Sequence, residues 1–145
     1  MSKLLIDVGN SAAKWAIFDG HTLNSNRHSG NFSELAEVLW LAAADAKAVW
    51  VASVRGESSD QSLVVELQAV GFSKVHLCGS AQHEDGLLNS YTEPSRMGAD
   101  RWFAMLGARA YKPGPLLVID VGSAVTCDLV ATDGRHLGGY IFPGP

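Results

Sequence analysis

The tetrapeptide Ile6-Asp7-Val8-Gly9 returns as Ile119-Asp120-Val121-Gly122, and the surroundings return with it. Each copy follows an apolar strand, passes through small and hydroxyl residues into a second apolar stretch, and closes on Asp-Gly, at Asp19-Gly20 and at Asp133-Gly134. Asp-Gly supplies the positive-φ residues that a tight hairpin needs, so each copy reads as strand, turn, strand, turn. A repeated supersecondary unit constrains a fold before any single residue does. The chain therefore reads as one α/β unit, residues 1–112, followed by the start of a second, residues 116–145. The Pro- and Gly-rich stretch 112–115 marks the boundary.

Between the copies, strands and helices alternate. Leu35, Val38, Leu39 and Ala42 recur at helical spacing and predict a helix over 32–47, with Asn31 or Ser33 available to cap it. The polar stretch 24–31 precedes it. Residues 49–54 read as a buried strand. A second helix over 59–70 ends at Gly71, where helix C-termini favour glycine, and 74–78 forms another strand. A polar loop over 79–94 leads to a third helix, 98–111, whose face carries Trp102, Met105, Leu106 and Ala110 and which Pro113 stops. Trp15, Trp40, Trp50 and Trp102 fall at core-facing positions. This alternation predicts an α/β layer fold with crossover connections.

Composition excludes several functions. Eleven Lys+Arg against 15 Asp+Glu give a net charge of −4, which lacks the basic stripe of a nucleic-acid binder. The longest apolar stretch, 38–44, runs into Asp45 and is too short to span a bilayer. Leu4-Leu5-Ile6 is broken by Asp7, unlike a signal peptide, so neither membrane nor nucleic acid is an expected partner and a cytoplasmic location is expected. Cys78 and Cys127 lie in different apolar segments and read as buried, reduced thiols. The five histidines show no zinc-ligand spacing and are assigned no function.

An Asp at a strand end followed by x-Gly and then amide or hydroxyl residues suits phosphate. Glycine lets the backbone approach the anion, and successive N–H groups in the turn point at its oxygens. Asn10 and Ser11 add donors, Lys14 brings a positive charge toward a β- or γ-phosphate, and Asp7 can hold Mg²⁺ directly or through water. One such turn is equally an ordinary Gly-containing hairpin. Two, on paired domains, can grip one polyphosphate from both sides. The G-x-x-x-x-G-K-[ST] loop, the G-x-G-x-x-G fingerprint and the H-R-D loop are all missing. Asp100, at a helix start that favours a carboxylate anion, is the candidate to orient an acceptor hydroxyl and take its proton. A plain N-terminal cap is the alternative.

These motifs resemble the superfamily of acetate and sugar kinases, actin and the heat-shock ATPases, and within it type III pantothenate kinase, also called the Bvg accessory factor family. D-x-G-N-[ST]-x-x-K stands as Asp7-Val8-Gly9-Asn10-Ser11-Ala12-Ala13-Lys14, and G-x-D-R as Gly98-Ala99-Asp100-Arg101, preceded by Tyr91. The second phosphate hairpin is Asp120-Val121-Gly122-Ser123-Ala124-Val125-Thr126, and G-G-x-I-x-P-G is Gly138-Gly139-Tyr140-Ile141-Phe142-Pro143-Gly144.

The resemblance implies an actin-like (ribonuclease H-like) duplicated α/β fold, its second domain incomplete in this chain. It also implies ATP-dependent phosphorylation of pantothenate in coenzyme A biosynthesis by a homodimer. It makes residues 7–14 and Ser123 ATP-binding, Tyr91 and Gly98-Ala99-Asp100-Arg101 pantothenate-binding, and Asp100 catalytic. Asp7 is the Mg²⁺ residue, and Asp120 the ligand of a monovalent cation, K⁺ or NH₄⁺. Packing for Tyr91, a surface position for Arg101 and hairpin capping for Asp120 stay open on the residues themselves. So do a different small acceptor and a non-catalytic regulatory role. Family members are considerably longer, so a truncated chain with weak or no turnover of its own is expected.

Overall fold

The computed structural model describes residues 2–29, 32–46 and 48–145, which form two compact units, one ending at Cys78 and the other starting at Gly79. The Pro/Gly stretch at 112–115 marks where the second repeat begins rather than where compactness divides, because the helix before it packs on the second repeat's strands.

In the first unit, β1 (Lys3–Val8), β2 (Ala12–Phe18), β3 (Leu23–Ser29), β4 (Ala48–Ser53) and β5 (Val75–Cys78) form one sheet in the order β3-β2-β1-β4-β5. The β1-β2 and β2-β3 pairs are antiparallel hairpins, and β4 and β5 add in parallel through the helices α1 (Leu35–Ala43) and α2 (Glu57–Ala69). Leu4, Ile6 and Val8 alternate inward along β1, join Val49 and Val51 of β4, and meet Leu35, Leu39, Leu63 and Leu67 from the helices. Each fully buried side chain of this kind contributes about 1.5–3 kcal/mol relative to exposure.

Three details differ from the sequence reading. Most of the polar stretch, residues 24–29, belongs to β3, a solvent-facing edge strand: with both faces wet it carries no apolar alternation, and pairing with β2 across the Asp19-Gly20 turn makes it a strand. The first helix is shorter than 32–47, opening with a 3-10 turn at Phe32–Glu34. Its buried face is Leu35, Ala36, Leu39 and Ala43, with Ala42 exposed. Glu34 rather than Ser33 occupies its N-cap, while Asn31 and Lys47 lie outside the described residues. Trp50 points away from the core, between Lys3 and His76, because its neighbours Val49 and Val51 take the inward positions. Gly71 ends α2 as expected, with φ +124°, and a Cβ there would strike the Trp40 ring. Gly71 N donates to Gln68 O and Phe72 N to Leu67 O, a Schellman closure.

In the second unit, β6 (His83–Glu84) and β7 (Leu87–Leu88) make a short hairpin within the expected loop. The helix α3 (Ala99–Tyr111) follows, then an antiparallel sheet, β10-β9-β8, built from β8 (Leu116–Val121), β9 (Ala124–Val130) and β10 (His136–Pro143). Trp102 and Met105 of α3 bury against Leu87, Met97 and Val130, whereas Ala110 is exposed. Both cysteines are reduced thiols, but half-buried rather than interior. No helix among the described residues is long and apolar enough to cross a membrane.

Candidate active site

The seven-residue spacing from Asp7 to Lys14 has a simple origin. In the β1-β2 register Asp7 pairs with Lys14 and Val8 with Ala13, so the acid and the base are cross-strand neighbours at the mouth of one turn. Gly9 N donates to Ala12 O at 3.0 Å, and a Cβ on Gly9 would crowd that same oxygen. Asp7 is half-buried, Asn10 and Ser11 are exposed at the tip, and Lys14 is exposed on β2. Beside this turn, at the carboxyl ends of β1 and β4, where open α/β sheets take ligands, lies a hollow of about 470 Å³ lined by Val8, Ser53, Arg55, Ser59 and Phe32. The Arg55 guanidinium lies 4.2 Å from the Phe32 ring centre.

The second turn is built alike, one residue shorter. Asp120 pairs with Thr126 and Val121 with Val125, and Gly122 N donates to Ala124 O at 2.9 Å. A hydroxyl thus stands where the first turn places an ammonium. Asp120 and Ser123 are exposed. Gly144 N donates to Ser123 O at 3.1 Å, and a Cβ on Gly144 would fall on the turn's carbonyl oxygens.

Gly98 is the N-cap of α3, so Asp100 lies within the first turn rather than capping it. Its Oδ1 accepts from Arg101 N at 2.7 Å. Arg101 is 5% exposed, not a surface arginine, and its partner is Asp128, 1% exposed on the inward face of β9. Arg101 donates from Nε to Asp128 Oδ2 at 2.9 Å, from Nη2 to Oδ1 at 2.5 Å, and from Nη1 to the Tyr91 hydroxyl at 3.1 Å. His136, also buried, sits with Nε2 2.8 Å from Asp128 Oδ1 and Nδ1 2.8 Å from Ser90 Oγ. Burial pushes the Asp128 carboxyl up, but hydrogen bonds from His136 and Arg101 outweigh it and hold the group below the usual carboxylate range. The Asp128 hydrogen bond raises the Arg101 guanidinium further despite its desolvation.

The second unit therefore brings together Tyr91, Asp100 and Arg101, and holds Asp120 and Ser123 in its hairpin. Residues 7–14 belong to the first unit. Sequence reasoning missed Ser90, Asp128 and His136. One signal was present: Thr126, Asp128 and Val130 occupy one alternating face of a strand, so an acid stood at an inward position.

A family model for type III pantothenate kinase matches residues 3–145. The chain belongs to the type III pantothenate kinase family. It is 37% identical over 145 residues to the type III pantothenate kinase of Alcanivorax borkumensis, covering 97% of this chain and 58% of that protein. To the Marinobacter nauticus protein of the same name it is 40% identical over 143 residues, again covering 97% and 58%. This chain thus spans well under two thirds of these relatives' length.

Among solved structures, the ethanolamine utilization protein EutJ of Carboxydothermus hydrogenoformans aligns with a TM-score of 0.58 at 10% identity, covering 99% of this chain and 52% of that one. A 2-dehydro-3-deoxygalactonokinase-like protein of Sinorhizobium meliloti aligns with 0.57 at 16% identity, covering 97% and 54%. The Clostridium difficile activator of 2-hydroxyisocaproyl-CoA dehydratase, solved with ADPNP, aligns with 0.56 at 16% identity, covering 99% and 46%. The architecture of this chain is accordingly the actin-like fold. Its family stretch G-G-x-I-x-P-G acquires a physical reading too. A bulge between His136 and Gly138, where Gly138 takes φ +120°, shifts the register of β10 so that Gly139 faces Asp128. A Cβ at Gly139 would land on the Asp128 carboxylate and the Arg101 guanidinium.

Proposed function

We propose that the protein transfers the γ-phosphoryl group of ATP to pantothenate, giving 4'-phosphopantothenate in coenzyme A biosynthesis. The observation that carries this reading is the placement of Asp100 in the first turn of α3, next to buried Arg101 and its half-buried partner Tyr91, in a chain that belongs to this kinase family. In this reading Asp100 orients the acceptor hydroxyl and takes its proton, while Arg101 and Tyr91 hold the body of pantothenate. The turn at residues 7–14 receives phosphate oxygens on its backbone N–H groups, Asn10, Ser11 and Lys14, and Ser123 adds a hydroxyl from the second hairpin.

Among the described residues no three His, Cys, Asp or Glu side chains cluster as a metal cage. That suits Mg²⁺, which is typically carried by one or two carboxylates, water and substrate phosphates. Asp7, a carboxylate at the strand end with Asn10 and Ser11 following in the same turn, would hold the Mg²⁺. Asp120, opposite the Thr126 hydroxyl, would hold K⁺ or NH₄⁺. When bound, these cations neutralise phosphate charge. We assign the domains as 1–112 and 116–145 by repeat, and the working state as a cytoplasmic homodimer. ADP release by the full-length gene product tests the function: release that depends on pantothenate is expected, and release indifferent to pantothenate overturns it.

A further inference from the structure

We propose that Asp128, held in turn by His136 and Ser90, is the positioning residue that aims Arg101 and Tyr91 at the acceptor. The role of those two as acceptor-binding groups rests on the function proposed above. The Asp128 carboxylate fixes one shared proton. An ionised carboxylate can only accept, and Asp128 is held in that form, so His136 Nε2 carries the hydrogen it shares with Asp128 Oδ1. In a neutral imidazole Nδ1 is then the acceptor, and it takes the Ser90 hydroxyl hydrogen at 2.8 Å. The chain of donors runs Ser90 to His136 to Asp128, with Arg101 donating to Asp128 from the other side and to Tyr91 from Nη1. Tyr91 follows Ser90 in sequence, so the network closes on itself. It ties the 90–91 loop, the first turn of α3, β9 and β10 into one ring.

Closure has a chemical consequence. A guanidinium has five N–H donors. Three are committed here, leaving one on Nη1 and one on Nη2 in a fixed orientation. Because the Tyr91 hydroxyl accepts from Arg101, its own hydrogen remains to donate. Three donors, two on the guanidinium and one on the Tyr91 hydroxyl, are thus left over by these bonds. A buried ion pair is a poor source of net stability, since desolvation offsets its attraction. What it fixes here is the orientation of those donors. The β10 bulge serves the same end: it brings Gly139, which has no Cβ to displace the carboxylate, opposite Asp128.

The test compares Asp128→Asn, His136→Leu and His136→Gln in the full-length gene product, by calorimetric titration with pantothenate and with a non-hydrolysable ATP analogue. The glutamine amide keeps a donor toward Asp128. Asp128→Asn and His136→Leu are expected to weaken pantothenate binding about tenfold or more while nucleotide binding stays within about twofold, and His136→Gln to restore it. Equal loss of both ligands, or no loss of either in a folded variant, overturns the proposal. If Asp128→Asn fails to fold, His136→Leu against His136→Gln decides by the same criteria. If the unmutated protein binds no pantothenate, the functional reading falls, and hydrogen exchange of the Arg101 Nε–H followed by ¹⁵N NMR decides the positioning role. Slow exchange in the unmutated protein and in His136→Gln, with faster exchange in His136→Leu, is expected. Exchange equal in all three overturns it.

Discussion

Gly139 lies directly opposite Asp128 across the β9-β10 ladder, and a Cβ on it would fall on the Asp128 carboxylate. The glycine keeps clear the space in which the Arg101–Asp128 pair sits, and backbone on the other side, at Cys127 O, prevents escape by a side-chain rotation.

Gly139→Ala is therefore expected to destabilise the chain by about 1–3 kcal/mol through overpacking. Gly107 makes the opposing case. It lies exposed in α3, and a Cβ there meets nothing within 4 Å. Gly107→Ala should stabilise by about 0.5–1 kcal/mol, the helical advantage of alanine. Urea midpoints of the two variants should shift in opposite directions. A common direction would contradict the packing described for Gly139.

How far the sequence revealed this arrangement depended on whether a residue's constraint was local. The two Asp-x-Gly turns were legible because the hairpin, its glycine and its closing Asp-Gly lie within a few residues of one another. Gly71 was legible for the same reason. The strand β3 was not, since an edge strand with wet faces loses the alternation that marks a strand. Asp128 and His136 were missed because each has a partner far away in sequence, Arg101 for Asp128 and Ser90 for His136. Arg101 in isolation looks like any helix-surface arginine. The bulge that aligns Gly139 with Asp128 left its trace only as a pair of glycines.

Asp128 makes the acid limb of stability predictable in sign. Its carboxyl is held lower when folded than the unfolded value of about 3.9. The unfolded state therefore binds the proton more readily, and the stability linked to Asp128 is fully present above about pH 3.9. It is lost as pH falls through the lowered folded value. Asp128→Asn removes this titration, so its stability should fall less steeply with acid below about pH 4 than that of the unmutated chain. Urea titrations at several acidic pH values measure the slope. Equal slopes would mean that the carboxyl is not held down in the folded protein.

Lys14 offers a test of the first hairpin that spares the fold. The side chain is exposed and its strand is held by backbone pairing, so Lys14→Met should leave the melting temperature nearly unchanged. A charged hydrogen bond to phosphate is worth about 1.5–3 kcal/mol, so the affinity for an ATP analogue should drop about tenfold or more. Calorimetry should show pantothenate affinity unaltered. Unaltered nucleotide affinity would remove Lys14 from the phosphate site.

Asp100→Asn separates chemistry from binding at the start of α3. Asparagine is isosteric, and its side-chain oxygen can still accept from Arg101 N, so the helix start should persist. In the proposed function what is lost is the capacity to take a proton from the acceptor hydroxyl, a contribution of about 10²- to 10⁴-fold in rate. In the full-length gene product kcat should fall by that factor while the KM values for pantothenate and ATP change little. A variant that keeps its kcat but loses affinity for pantothenate would make Asp100 a binding group, and the proton would then have to leave by another route.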